Sequence, residues 1–207
     1  MSDFSDYTSE EDEAAQQAEY AEMLNELPIM NEVSKAIVEL KRVDWFHHIG
    51  DKIDAETRQI AQDYMDFLGF NYSELHIVQD WDEVFPVMET NNYQTGAWEA
   101  EEAMRAALTF RASEQLSEPA MEFLFQFLAA ALNEHIDDHI TEIFANWELE
   151  DSQLKNLMMG SAMQACHTYI LAKTFGDDEY HPFILRIKLY QSGHWPLGFS
   201  GDSLAVF

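Results

Sequence analysis

The chain has 207 residues, and its 39 acidic residues outnumber its 11 lysines and arginines, giving a net charge of −28 at neutral pH. A surface this negative repels nucleic acids and anionic lipid and attracts basic surfaces, so we expect neither a nucleic-acid partner nor a membrane partner. Hydrophobic residues make up 47% of the sequence. That content excludes a wholly disordered acidic chain, which would lack the apolar area that folding requires.

The remaining composition indicates an intracellular protein. Cys166 is the single cysteine, which excludes a disulfide within the chain and fits a reducing compartment. The first residues have neither the basic nor the apolar region of a signal peptide, and no apolar stretch is long enough to cross a bilayer. We therefore expect a cytoplasmic location.

The N-terminal segment is the most acidic part of the chain. Residues 1–26 contain nine acids and no base. We predict a disordered acidic tail over residues 1–12 and a single mostly helical domain over residues 13–207. The tail is either a solvated extension or an arm that lies on a basic partner. The rest of the chain still carries a net charge of −19, so the charge belongs mainly to the folded body.

Two helices are predicted between residues 29 and 69, where apolar residues recur at a spacing of three or four. The first ends at Gly50, after the cluster Trp45-Phe46-His47-His48. Asp54 can cap the second helix, and Gly69 is its predicted end. Residues 71–95 are less regular, with a short strand or extended link around residues 76–81 and a turn-rich end after a proline.

The middle of the chain predicts three further helices. Residues 96–116 form the first, and Ser117 begins the second, because Pro119 in the first turn removes no needed donor. The run over residues 121–132 is apolar on nearly every side, which predicts the central helix of the core. The third helix begins after Asp151 and is capped at its C-terminus by Gly176.

The pattern changes after Gly176. Residues 183–191 alternate in polarity and are rich in branched and aromatic side chains, which is typical of a strand. Residues 204–207 predict a second strand, so residues 182–207 form a β appendage packed on the helices. The predicted fold is mainly α: a single multi-helix, bundle-like domain with a small C-terminal β-hairpin or three-stranded sheet.

A candidate metal cluster lies in the sequence EHIDDHITE. His135, His139 and Glu142 share one helix face, and two histidines one turn apart with a carboxylate suit a transition metal. This pattern would make the protein a metal-dependent helical enzyme. However, the Glu-x-x-His pairs of di-iron bundles and the HExxH motif are absent. The alternative is a polar face where the helix leaves the core, with no cofactor.

Two other pairs bear on whether the protein is an enzyme. His47 near Asp44 is either a general base or part of a helix end. Cys166 beside His167 is either a nucleophile or a buried inert thiol. Glycine-rich phosphate loops and the G-x-S-x-G motif are absent. The sequence therefore names no reaction, and enzymatic activity stays open.

The leading interpretation is a non-enzymatic acidic binding protein that neutralises or regulates a basic protein partner by electrostatic occlusion. Under this interpretation the protein is an immunity protein, another inhibitor or a nucleic-acid mimic. Carboxylates would pair with lysines and arginines of the partner, and aromatic side chains near residues 194–199 would anchor it. The candidate binding residues are Glu101, Glu102, Asp137, Asp138, Glu142, Trp195 and Phe199.

Alternative interpretations remain beside it. In one, the acidic surface serves solubility alone; in another, the protein is an acidic chaperone-like structural module. For the aromatic residues, the alternative is that Trp195 and Phe199 hold the hairpin against the helical core. The sequence leaves open whether the protein is a monomer or a homodimer.

Overall fold

A computed structural model describes residues 29–70, 74–91, 95–176, 180–200 and 203–207. The predicted tail over residues 1–12 and the predicted start of the domain at residue 13 lie outside these residues. Seven helices are described: α1 (Ile29–Leu40), α2 (Ala55–Phe67), α3 (Val84–Asn91), α4 (Thr95–Ser113), α5 (Glu118–Asn146), α6 (Ser152–Phe175) and α7 (Pro182–Gln191). A 3₁₀ helix spans Trp81–Glu83, and the strands are β1 (Glu74–Ile77), β2 (Pro196–Ser200) and β3 (Ser203–Val206). The predicted mainly α fold with a small three-stranded sheet is confirmed.

Three helices begin at the predicted caps. The Asp54 carboxylate accepts the Thr57 backbone N–H over 2.7 Å at the start of α2. Ser117 accepts the Ala120 N–H over 3.4 Å at the start of α5, and Asp151 accepts the N–H groups of the first turn of α6. Each oxygen satisfies a donor that the helix itself leaves unpaired.

Helix α1 ends at Leu40, so the predicted end at Gly50 is wrong. Residues 41–50 form turns instead. Phe46 has a φ of +63°, which no residue of a right-handed helix adopts. As a result, the Trp45-Phe46-His47-His48 cluster lies in a turn and not at a helix end.

The predicted strand over residues 183–191 is also wrong, because this segment is helix α7. Helix α7 packs against α2 and α6, and most of its side chains are buried. Arg186 and Lys188 interrupt an otherwise apolar run, and this spacing imitates the alternation of a strand. His181 accepts the Phe183 N–H and Pro182 opens the helix, a start signal of the same kind as Ser117 with Pro119.

The sheet has the strand order β1-β3-β2. Strand β3 confirms the predicted C-terminal strand, and β2 pairs with it antiparallel. The third strand is β1, which comes from the irregular region and runs parallel to β3 with Glu74 opposite Ser203. The sheet joins α2 and α7 in one apolar cluster that contains Tyr64, Leu185 and Phe199.

Helix α6 occupies the central position within the described residues. It contacts α1, α4, α5 and α7, and most side chains from Ala162 to Phe175 are buried. Helix α5, predicted to be central, buries one stripe through Leu124, Leu128 and Leu132. None of the helices in the described ranges combines the length and apolar composition that a bilayer crossing requires.

A partly buried polar network ties four helices together. The Tyr64 hydroxyl of α2 donates to the Glu101 carboxylate of α4, whose Oε1 lies 3.6 Å from Nη1 of Arg186 on α7. Burial alone would lower the pKa of Arg186, but the charge of Glu101 and contacts with Tyr64 and Tyr190 raise it above its usual value. This network continues into α6, where Ser161 and the Tyr190 hydroxyl lie 2.6 Å apart.

The ion pair between Arg186 and Glu101 can be tested against its exposed neighbour. The Arg186 side chain is 12% exposed and that of Glu101 is 27% exposed, so Arg186→Met should lower the free energy of unfolding by about 1–3 kcal/mol, because the partly buried Glu101 loses its charged partner and keeps only the Tyr64 hydroxyl. Arg105 pairs with the adjacent Glu102 and is 41% exposed. Arg105→Met should therefore change the free energy of unfolding by less than about 1 kcal/mol. Urea denaturation followed by circular dichroism measures both, and equal losses would contradict a structural role for Arg186.

Candidate functional site

The turn after α1 places two aromatic side chains inside the protein, one histidine, His47, partly buried, and one, His48, at the surface. Trp45 and Phe46 are fully buried, whereas His48 is exposed. The left-handed backbone at Phe46 costs about 1–2 kcal/mol for a residue with a side chain. The Phe46 ring packs edge-on against Tyr190 and Trp195, with centroids 5.6 Å away in each case. This packing holds a strained turn in one conformation.

The same turn is hydrogen-bonded to the segment that follows α7. The His48 backbone N–H donates to the Gly193 carbonyl over 2.9 Å. Gly193 has a φ of +79°, and a Cβ at this position would lie 2.5 Å from Cδ2 of His48. Glycine is therefore required here, both for its backbone conformation and for the close approach of the imidazole.

A cavity of about 330 Å³ lies between these two segments. Three of its lining residues are aspartates, two are histidines and one is a lysine, and the others are neutral and polar. The lining residues are Asp44, His48, Asp51, Lys52, Asp54, Thr57, Gln191, Ser192 and His194. Sequence reasoning noted the acids and histidines around residue 48 but missed the cavity, because its second wall comes from a distant part of the chain.

The acidic and imidazole groups of the cavity are held by local contacts. The Asp51 Oδ2 lies 3.1 Å from Nδ1 of His48. The hydrogen bond from the Thr57 backbone N–H lowers the pKa of Asp54, which keeps this carboxylate ionised. His194 is 4% exposed, and burial lowers the pKa of its imidazole. Its Nδ1 has no hydrogen-bond partner among the described residues.

A histidine cluster adjoins the cavity. Nδ1 of His47 lies 3.3 Å from Nδ1 of His139 on α5, and the His135 and His139 rings meet edge to face at 4.7 Å. A hydrogen bond between two Nδ1 atoms requires one to donate and the other to accept. Burial, followed by the charges of His135 and His47, lowers the pKa of His139, while Glu142 and Asp44 act in the opposite direction. The contact therefore suits a neutral His139.

The predicted metal ligands do not converge on one point. Glu142 lies 3.5 Å from Nε2 of His47, whereas His139 contacts Nδ1 of that ring. In the parts of the chain that the structure describes, no group of three or more His, Cys, Asp or Glu side chains can hold a metal ion. The geometry gives no support to the predicted metal site at His135, His139 and Glu142.

The predicted aromatic anchors are wrong, because Trp195 and Phe199 are buried. Nε1 of Trp195 donates to Ser161 over 3.0 Å, and Phe199 stacks on Tyr64. These contacts fix β2 to the helices, as the alternative interpretation predicts. Trp98 on α4, which the sequence did not single out as a contact residue, is 62% exposed.

The predicted acidic residues fall into two groups. Glu101 belongs to the partly buried network with Arg186, and Glu102 and Asp137 form ion pairs with Arg105 and Lys155. Asp138 and Glu142 are exposed, one turn apart on α5. The binding role of all five remains a prediction.

Cys166 is buried on α6, and this burial raises the pKa of its thiol. A buried neutral thiol is a poor nucleophile, which favours the inert interpretation over the catalytic one.

No protein-family model, curated protein or solved structure matches this chain. The functional proposal therefore rests on the geometry and charge of the chain itself.

Two glycine substitutions test the close contact between His48 and Gly193. Gly193→Ala should lower the free energy of unfolding by about 2 kcal/mol or more, because it combines a left-handed backbone with a clash against His48. Gly160 lies within α6, where an added Cβ would meet nothing within 4 Å. Gly160→Ala should instead stabilise by about 0.5–1 kcal/mol. Thermal and urea denaturation compare the two variants. An unchanged free energy of unfolding in Gly193→Ala would contradict the close contact between His48 and Gly193.

Proposed function

We propose that this protein is an acidic binding protein that neutralises or regulates a basic protein partner. The observation that carries the proposal is a group of carboxylates on the turn after α1 and on the neighbouring face of α5. We call this group the turn surface, and it consists of Asp44, Asp51, Asp54, Asp138 and Glu142.

Asp44 connects the two parts of the turn surface. It lines the cavity with Asp51 and Asp54, and its charge also acts on His139. Glu142 reaches the same region through its contact with His47. Lys52 is the one lysine or arginine among the described lining residues of the cavity, so negative potential dominates the lining, whereas the exposed Lys41 and Arg42 lie at the start of the same turn.

The turn surface is also held in place before any partner arrives. Phe46 is packed against Tyr190 and Trp195, and His48 is hydrogen-bonded to Gly193. A surface with a fixed backbone loses little conformational entropy on binding. Fixed carboxylates therefore favour fast and selective association with a cationic surface.

The mechanism would be occlusion of a cationic site on the partner. Carboxylates of the turn surface would pair with its lysines and arginines, in the manner of an immunity protein, another inhibitor or a nucleic-acid mimic. Because Trp195 and Phe199 are buried, charge carries more of the binding than aromatic anchoring does. We therefore expect affinity to fall as salt rises.

A set of charge-neutralising substitutions tests the proposal. The triple variant Asp51→Asn, Asp138→Asn and Glu142→Gln removes three charges from the turn surface. Association with a lysine- and arginine-rich peptide should slow by about tenfold at low salt, because electrostatic steering is lost. Stopped-flow fluorescence with a labelled peptide measures the association rate.

The matched control is Glu114→Gln, Glu122→Gln and Glu150→Gln, which removes the same charge from exposed positions outside the turn surface. Its association rate should fall less than that of the turn-surface variant, because the removed charges lie farther from the docked peptide and attract it less. Equal effects of the two triple variants, or a rate independent of salt, would refute a role for the turn surface.

A further inference from the structure

We propose that Trp147 is the aromatic contact of the turn surface and that it stacks on an arginine side chain of the basic partner. The proposal rests on the proposed function and deepens it, because it names the side chain that the partner presents. Trp147 supplies the aromatic contact that the sequence predicts for Trp195 and Phe199, which are buried.

The indole of Trp147 is exposed but held in one position. It is 43% exposed, and a Cβ added at Gly50 would lie 3.2 Å from its Cη2 atom, so the ring packs against the backbone of the turn after α1. Trp81 meets the same ring nearly at a right angle, with centroids 5.9 Å apart. An aromatic side chain that is already fixed offers contact area at a low cost in conformational entropy.

The backbone at the end of α5 also fixes the position of Trp147. Its N–H donates to the Ile143 carbonyl over 3.0 Å, and the Leu149 N–H donates to the Phe144 carbonyl over 2.9 Å. Glu148 has a φ of +53°, the left-handed conformation that closes a helix end of this kind and is usually adopted by glycine. A glutamate in this conformation is strained, so the surrounding contacts determine where the indole lies.

Acidic residues dominate the segments that meet at the indole. Residues 50–52 and 79–83 reach it through Gly50 and Trp81, and Glu148 follows it in the chain. Their charged side chains are all exposed and comprise five acids and one lysine: Asp51, Asp80, Asp82, Glu83, Glu148 and Lys52. The potential beside the indole is therefore negative and attracts a cation. Because Asp51 belongs to the turn surface, the indole borders that surface.

Arginine is the cation that this arrangement fits best. Among aromatic side chains, tryptophan has the strongest attraction for a cation placed over its ring. The guanidinium group is planar and weakly hydrated, so it can stack on the indole while its edge donates hydrogen bonds to neighbouring carboxylates. The ammonium group of lysine is compact and strongly hydrated, so it gains less from a partly exposed ring.

Trp98 provides a matched comparison within the same chain. It is 62% exposed on α4, and two carboxylates and two guanidinium groups share its surroundings. These residues are Glu101, Glu102, Arg105 and Arg186. Because their charges offset each other, Trp98 attracts an external arginine less than Trp147 does.

Two peptides of equal length and charge, acetylated and amidated hexa-arginine and hexalysine, test the proposal on the full chain at low salt. The wild type should bind hexa-arginine more tightly than hexalysine. Trp147→Leu should raise the dissociation constant for hexa-arginine about fivefold, because stacking is lost, and that for hexalysine less than about twofold. Trp98→Leu is the matched control and should leave both constants within about twofold of the wild type. Isothermal titration calorimetry measures all of these constants.

The unaltered protein gives a second readout that does not depend on the stability of a variant. In ¹⁵N NMR spectra, the indole N–H signal of Trp147 should shift saturably as hexa-arginine is added, because a stacked guanidinium group changes its surroundings. The indole signal of Trp98 should shift less. Circular dichroism shows whether Trp147→Leu is folded, and where it is not, this NMR titration decides alone.

Three results would overturn the proposal. The first is an equal loss of affinity for both peptides in a folded Trp147→Leu variant. The second is an equal effect of Trp98→Leu on hexa-arginine binding. The third is an indole signal of Trp147 that does not shift saturably with hexa-arginine.

The outcome is separable from that of the proposed function, because neither triple variant changes Trp147. Salt-dependent association that slows in the turn-surface variant, together with unchanged affinity in Trp147→Leu, would reject the stacking contact and retain the proposed function. Salt-independent association with equal effects of the two triple variants would reject the proposed function. A saturable shift of the Trp147 indole and a preference for hexa-arginine would then still retain an arginine site at this residue.

Discussion

The partly buried ion pair between Arg186 and Glu101 is the interaction on which the arrangement of this protein depends. It joins α7 to α4, and the Tyr64 hydroxyl adds α2 to the same carboxylate. Taking a charge out of water is costly unless it is paired, so α7 is held in a single position. The segment that follows α7 contains Gly193 and His194, so the cavity depends on this position.

The carboxylates of this protein differ in their partners. Some carboxylates are matched by a lysine or arginine of the chain, as Glu101 is by Arg186 and Asp137 is by Lys155. Others are gathered on the turn surface, where the contacts of Asp51 and Glu142 are with histidines. Neither of these two contacts is with a lysine or arginine, and a carboxylate has lone pairs for further donors, so both groups can accept hydrogen bonds from an external cation.

Much of the helical fold could be predicted from the sequence because its signals are local. Caps such as Asp54, Ser117 and Asp151 act within one turn, and their chemistry is visible in the residues themselves. Helix α7 is predicted as a strand because burial on most of its sides removes the helical periodicity on which the prediction depends. Pro182 is a local signal for the start of a helix, and it conflicts with the strand that the alternating polarity of residues 183–191 predicts.

The candidate site was harder to predict because its contacts are not local. The turn after α1 is packed through Phe46 against Tyr190 and Trp195, residues far along the chain. The histidine pair of His47 and His139 and the contact of His48 with Gly193 are also long-range. The spacing of His139 and Glu142 on one helix predicts that they are neighbours. It cannot predict that His47, from another part of the chain, contacts both of them.

Hydrogen–deuterium exchange measured with and without a lysine- and arginine-rich peptide at low salt tests the central claim most directly. If the turn surface binds the peptide, exchange should slow in residues 44–54, in residues 135–142 and in the adjoining residues 191–194, because bound backbone opens less often. Exchange in residues 113–126 should not change. Slowed exchange in residues 113–126 with none in residues 44–54 and 191–194 would contradict the account.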